Sequence, residues 1–129
     1  MYTFTKKERL NSKKNIARLF EEGSSFFSYP FKVYYHFEKA KENTPNAVVL
    51  FSIGKKQFKK AVDRNRVKRL CRETYRINKT LLVEPLKEKQ IQVEVAFIYV
   101  GKTIPDYLDL QTKMQKALSL LAELKVRKD

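Results

Sequence analysis

The stretch "AVVLFSIGKKQFKKAVDRNRVKRLCRETYRINK", residues 47–79, decides the fold. Its first seven residues, 47–53, are apolar on both faces and read as a central strand. A polar loop, "GKKQFKK" (54–60), leads into a helix. Asp63 is the candidate cap, and Val67, Leu70, Cys71, Thr74, Asn78 and Leu81 recur at the spacing of one buried stripe. "EPLKEKQ" (84–90) breaks the chain before "IQVEVAFIYV" (91–100), a strand with Ile91, Val93, Val95, Phe97 and Tyr99 on one face. Strand, crossover helix and strand imply a parallel pair, for which the general handedness rule gives a right-handed crossover.

Upstream, "SKKNIARLFEE" (12–22) reads as a short helix. Ser12 is its N-cap, Ile16, Leu19 and Phe20 share a face, and Gly23 falls at C′. From Phe31 the chain alternates, with Phe31, Val33, Tyr35 and Phe37 on one side and Lys32, Tyr34 and His36 on the other. "KENTPN" (41–46) is a turn. Downstream, a last helix opens near Pro105 with Tyr107, Leu110, Met114, Leu118, Leu121 and Leu124 as its stripe. The predicted order is α-β-β-α-β-α, with a short further strand at 25–28. The class is α/β in the α+β sense, a two-layer sandwich. No repeat or boundary divides the chain, so residues 1–129 are expected to form a single domain.

Composition narrows the function. The one cysteine, Cys71, rules out an intrachain disulfide and a cysteine-cluster metal site, and suits a reducing compartment. "MYTFTKKERLNSKK" has no apolar run after its charges, and no stretch approaches the ~20 apolar residues of a membrane span. A cytoplasmic protein without a membrane partner is expected. The net charge is +14, and it is lopsided. Residues 55–79 hold eleven cations against Asp63 and Glu73, whereas the rest of the chain holds 17 cations and 12 acids. Charge at that density repels itself unless an anionic partner compensates it, and nucleic acid is the leading partner.

The helix supplies the means. Arg64, Lys68, Arg72 and Arg76 recur every four residues along one edge, flanked by Arg66 and Arg69. Lys55, Lys56, Lys59 and Lys60 extend the cationic surface into the loop. Arginine grips phosphate oxygens bidentately, and the Asn65 amide can donate and accept. A solvated helix face is the bland alternative, but the acids that would pair such a face are nearly absent. Phe20, Tyr34 and His36 are aromatic groups beside this surface, suited to stacking on unpaired bases. The spacings of zinc fingers and basic zippers are absent.

Nothing resembles an active site. His36 is the only histidine, Cys71 lies on a buried stripe, and no serine or lysine has an activating partner. The carboxylate pairs Glu21/Glu22 and Asp106/Asp109 read as helix-end charges. No catalytic residue and no metal site in the protein alone are expected.

"FSIGKKQFKKAVDRNRVKRLCRETYR" resembles the signature of the bacterial ribonuclease P protein family: S-x-x-K-K, a spacer ending in A-V, R-N-R-x-K-R and a further Arg. Ser52, Lys55, Lys56, Ala61, Val62, Arg64, Asn65, Arg66, Lys68, Arg69 and Arg72 fill it in order. "KKERLNSKKNIARLFEEG" and "YPFKVYY" are similar to the family's first helix and aromatic strand, so the resemblance covers nearly the whole chain. It implies a mixed four-stranded sheet whose β-α-β crossover is left-handed, against the general rule. It also implies a protein, monomeric by itself, that assists a catalytic RNA subunit in removing the 5′ leader of precursor tRNA. The RNA and its bound magnesium ions would carry the chemistry of this endonuclease. Arg64, Asn65, Arg66, Lys68, Arg69 and Arg72 would face the RNA, with magnesium near Arg64–Asn65–Arg66. Ile16, Phe20, Tyr34 and Lys56 would form the leader-binding cleft. This chain departs from the family pattern in three places. Ile16 stands where the family is usually aromatic, Gly54 where a second serine is usual, and "YVGKT" where an arginine follows the last strand. The rival readings are a general RNA-binding or ribosomal protein, a lone metal-dependent nuclease, and a DNA-binding regulator.

Overall fold

The computed structural model describes residues 3–128, with side chains through Leu124. After a 3-10 turn at Lys6–Glu8 come α1 (Lys13–Glu22), β1 (Ser24–Ser28), β2 (Phe31–Lys39) and β3 (Ala47–Ile53). Then follow α2 (Ala61–Asn78), α3 (Thr80–Lys89), β4 (Ile91–Tyr99) and α4 (Tyr107–Lys128). The four strands form one mixed sheet in the order β1-β2-β4-β3. β3 and β4 are parallel, as the strand–helix–strand pattern requires, and the other pairs are antiparallel.

Strand alternation sorts the core. Phe31, Val33, Val49, Phe51, Val95 and Phe97 point to one face, where Val67 and Cys71 of α2, Leu82 and Leu86 of α3, and Leu110, Met114 and Leu118 of α4 cover them. Phe97 stacks on Phe51 at 5.2 Å and meets Phe31 edge-on at 5.4 Å. Each such ring contributes on the order of 2–3 kcal/mol of burial. On the opposite face α1 lies across the sheet, with Leu19 wedged against Ala96 and Leu10.

The structure corrects four sequence readings. β3, expected to be central, is an edge strand. Its pairing edge is covered by the N-terminal segment, where Arg9 bridges to Val49 and the Leu10 N–H donates to the Val49 carbonyl at 3.0 Å. β4 is an interior strand, paired on both sides and covered on both faces, so Gln92 and Glu94 are buried with it. The supposed break at 84–90 is helical: α3 runs through Pro85 and stops at Gln90, whose backbone is left-handed (φ 57°). Asp63 does not cap α2, since Lys60 occupies the N-cap and Asp63 lies in the first turn. Leu81, assigned to the α2 stripe, is exposed on α3, and the stripe gains the fully buried Tyr75 instead.

Gly23 ends α1 as expected, but for a different reason. Its φ is −73°, and a Cβ there would sit 2.5 Å from the Leu19 carbonyl oxygen. Close approach, not left-handed backbone, requires the glycine. At the other end of α1 the Ser12 hydroxyl accepts from the Asn15 N–H at 3.3 Å, the expected cap.

The N-terminal strap is held by one ion pair and one ring. Phe4 packs edge-on against Tyr75 at 5.4 Å, and Lys79 Nζ donates to Glu8 Oε2 at 2.6 Å and to the Thr3 carbonyl. Burial alone would raise the Glu8 carboxyl, but the bond from Lys79 and those from Thr5 outweigh it and hold the pKa below its ordinary value. A carboxyl depressed in the folded state contributes stability above its unfolded pKa and loses it as pH falls through the folded one. Strap contacts are therefore expected to loosen as pH drops below roughly 4. The protection factor of the Leu10 amide, its exchange rate relative to the intrinsic rate at each pH, should fall over that range in the wild type. Lys79→Met should show fast exchange already at neutral pH and a flatter acid step.

Candidate nucleic-acid interface

The rotation of α2 is fixed by Val67, Cys71, Thr74, Tyr75 and Asn78, all buried against the sheet and α4. Burial pushes the Cys71 thiol up to about 12, which removes it from thiolate chemistry. With that stripe inward, Asn65, Arg66 and Arg69 are the exposed crest, and Arg64, Lys68, Arg72 and Arg76 are half-exposed along the flank. The four-residue row is thus not the outermost line of the helix.

Its members also divide the work. Arg64 Nη1 donates to the Phe58 carbonyl at 2.7 Å and the Lys59 carbonyl at 3.0 Å, tying the 54–60 loop to the helix. Arg76 forms a bidentate pair with Glu73, at 2.6 and 3.1 Å. Lys68 and Arg72 instead turn toward the strap and share a groove with Lys6 and Arg9. Among the described residues no acid lines that groove, and burial together with the Arg9 guanidinium pulls Arg72 below the ordinary arginine range. Sequence reasoning missed Lys6 and Arg9. Only the strap's path across β3 brings them to α2, and no periodicity signals it.

Lys55, Lys56, Lys59 and Lys60 are all exposed on the loop, which Phe58 anchors by packing beside Tyr99. Because Arg64 organises this loop, Arg64→Ala is expected to lower the melting temperature by about 3–6 °C. Arg66→Ala should leave the melting temperature unchanged. Scanning calorimetry of both variants checks this.

The open part of the α1 face carries the aromatic cleft. Phe20 meets Tyr34 edge-on at 4.8 Å, and Lys32 Nζ lies 5.4 Å over the Tyr34 ring. Ile16 is half-buried beside the Leu10–Leu19–Ala96 cluster. Strand register sets Lys32, Ile98 and Ser52 in one row beyond α1, and Lys55 and Lys56 follow just past Ser52. Ile16, Phe20 and Tyr34 are therefore gathered on one face, with Lys56 on the turn beyond its floor. On the far side of α1, Arg18 pairs with Glu94 at 3.6 Å, and exposed His36 lines a cavity of about 270 Å³ with Glu22 and Glu38.

At the start of α4, Asp106 Oδ2 accepts from the Asp109 N–H at 3.3 Å, and Asp109 lies in the first turn. Among the described residues no three His, Cys, Asp or Glu side chains converge to hold a metal ion. Arg64, Asn65 and Arg66 offer one neutral oxygen and two guanidinium groups. That set orders phosphates but does not chelate a hard cation.

A mixed four-stranded sheet, an acid-poor cationic helix and loop at its edge, and an open aromatic face define an α+β protein shaped for a polyanion. The chain belongs to the ribonuclease P protein family, whose model, described as ribonuclease P, matches residues 4–122. It is 40% identical over 121 residues to the ribonuclease P protein component of Porphyromonas gingivalis, covering 94% of this chain and 88% of that one. It is 34% identical over 122 residues to the protein of the same name from Chlorobium phaeobacteroides, covering 88% and 84%. In structure it is similar to the RNase P protein from Thermotoga maritima, with a TM-score of 0.67 at 24% identity over 88% of this chain and 96% of that one. The RNase P protein of Staphylococcus aureus superposes with a TM-score of 0.64 at 20% identity, covering 88% and 94%. These two likenesses bear on the fold.

Proposed function

We propose that this chain is the protein subunit of a ribonucleoprotein endonuclease that removes the 5′ leader of precursor tRNA. The observation that carries the reading is the pairing of two surfaces on one rigid sheet: the acid-poor crest of α2 with its loop, and the aromatic cleft beside α1. The first suits a large folded RNA and the second an unpaired strand. Arg64, Asn65, Arg66, Lys68, Arg69 and Arg72, with Lys55, Lys59, Lys60 and Arg76 around them, bind the catalytic RNA. Ile16, Phe20, Tyr34 and Lys56 hold the leader. The chain acts as a single RNA-binding domain over residues 1–129, is monomeric alone and works in the cytoplasm. No described helix is long and apolar enough to cross a membrane.

Magnesium ions bound by the RNA subunit would supply the hydrolytic chemistry, near Arg64, Asn65 and Arg66 but without ligands from this chain. The chain's own residues do something else. Catalytic RNA and substrate are both polyanions, and a +14 protein between them lowers the cost of bringing them together. Phe20 and Tyr34 orient the leader so that the cleavage point is presented in one register.

The test is a leader-length series. With ribonuclease P RNA present, the protein should strengthen binding of precursor over mature tRNA, and the gain should grow as the leader reaches the cleft. A gain of the same size for mature tRNA would remove the cleft from the account.

A further inference from the structure

The register of the sheet extends the cleft floor further than α1 does. Phe27 of β1 stands opposite Lys32 of β2, Lys32 opposite Ile98 of β4, and Ile98 opposite Ser52 of β3. Directly opposed residues share a face, so one row crosses all four strands on the α1 side. At the β3 end it runs into Lys55 and Lys56. At the β1 end it finishes on an exposed aromatic ring. Phe27 is 61% exposed and Tyr29 is 58% exposed, with ring centroids 6.3 Å apart. The neighbouring Phe26 points to the core side, where it packs on Tyr35 at 5.8 Å. Phe27 is thus outward by register and not for lack of a core to enter.

A bare phenylalanine on an edge strand is a liability that needs a reason. The charge around it indicates what covers it. The row contains a lysine and no acid, and it belongs to a chain of net charge +14, so an apolar ring beside cations faces an anionic partner with apolar faces of its own. An unpaired nucleotide has both. Ile16 gives the opposite wall of the cleft no ring. We propose that Phe27, with Tyr29 beside it, is a stacking platform for an unpaired nucleobase of the RNA strand that crosses this floor. The inference deepens the leader-binding reading and rests on it: the strand runs from the Lys55–Lys56 loop past Tyr34 to the β1 edge.

The chain has no tryptophan, so Phe27→Trp introduces a single indole at an exposed position. Two probes are used: the free leader oligonucleotide with the protein alone, and precursor tRNAs of stepped leader length with the holoenzyme. Indole fluorescence should be quenched by the oligonucleotide and by long-leader precursor, and not by mature tRNA. Phe27→Ala and Phe27→Leu should each weaken long-leader precursor by about 5- to 20-fold, and mature tRNA by less than about 2-fold. Absence of quenching by both probes, a loss independent of leader length, or equal affinity of the wild type and Phe27→Leu would overturn the platform. So would a Phe27→Ala protein that binds leader normally but sediments as a smaller species than the wild type, since Phe27 would then be covered by a second copy. If the wild-type protein never improves precursor binding, the leader reading itself fails, and quenching by the free oligonucleotide still decides whether Phe27 stacks.

Discussion

Replacing Arg66 and Arg69 together by alanine is expected to weaken binding to ribonuclease P RNA by between about 10- and 100-fold at moderate salt, with no loss of fold. Both side chains are exposed on the crest of α2, and neither contributes to the buried stripe that holds the helix on the sheet. Surface changes of that kind alter stability by no more than about 0.5 kcal/mol. The stronger signature is the salt dependence. Each phosphate contact carries a slope of about 0.7–0.9 in the log of affinity against the log of salt, so losing two should flatten it by about 1.5. Arg76→Ala gives the contrast. Its guanidinium is engaged by Glu73, so its loss should change the slope less than that of either crest arginine. Equal slopes for wild type and double variant would show that the crest does not face the RNA.

Leu19→Ala is expected to produce the largest loss of stability on the leader side, about 2–4 kcal/mol. Leu19 is 1% exposed and joins α1 to the sheet through Ala96 and Leu10. The Arg18–Glu94 contact at 3.6 Å is partly exposed and adds little. Removing the wedge leaves a void and frees α1 to shift. Phe20 then loses its edge-on seat against Tyr34. Denaturant unfolding should show the loss, and precursor binding should fall more than RNA-subunit binding, because α2 is anchored to the other face. Leu19→Met keeps the volume and should recover most of both.

Much of this was legible in the chain because local pattern and tertiary environment agree. Ser12 and Gly23 bracket α1, the alternation of Phe31 to Phe37 sets the faces of β2, and the leucine spacing fixes α4. The misreading of β3 comes from distant chain covering a surface. β3 reads as central because both its faces are apolar, yet the residues that satisfy it come from the strap at Arg9 and Leu10. Gln92 and Glu94 interrupt the apolar run of β4, yet both are buried, with Arg18 of α1 3.6 Å from Glu94. α3 was hidden by Pro85, which a short helix accommodates. The same limit applies to the interface. The cations of α2 are evident from spacing, whereas Arg9 beside Arg72 and Phe27 at the end of the floor exist only through tertiary placement and register. Arg64 shows the converse: a residue assigned to RNA on spacing is also committed to the Phe58 and Lys59 carbonyls.

The most direct test of the central claim is cleavage of precursor tRNA by a bacterial ribonuclease P RNA at low magnesium, with and without this protein. Correct 5′ cleavage is expected only when both are present, with none by the protein alone, and with a protein requirement that fades as magnesium rises and screens the two RNAs. Cleavage by the protein alone, or stimulation of the same size at every magnesium concentration, would contradict it.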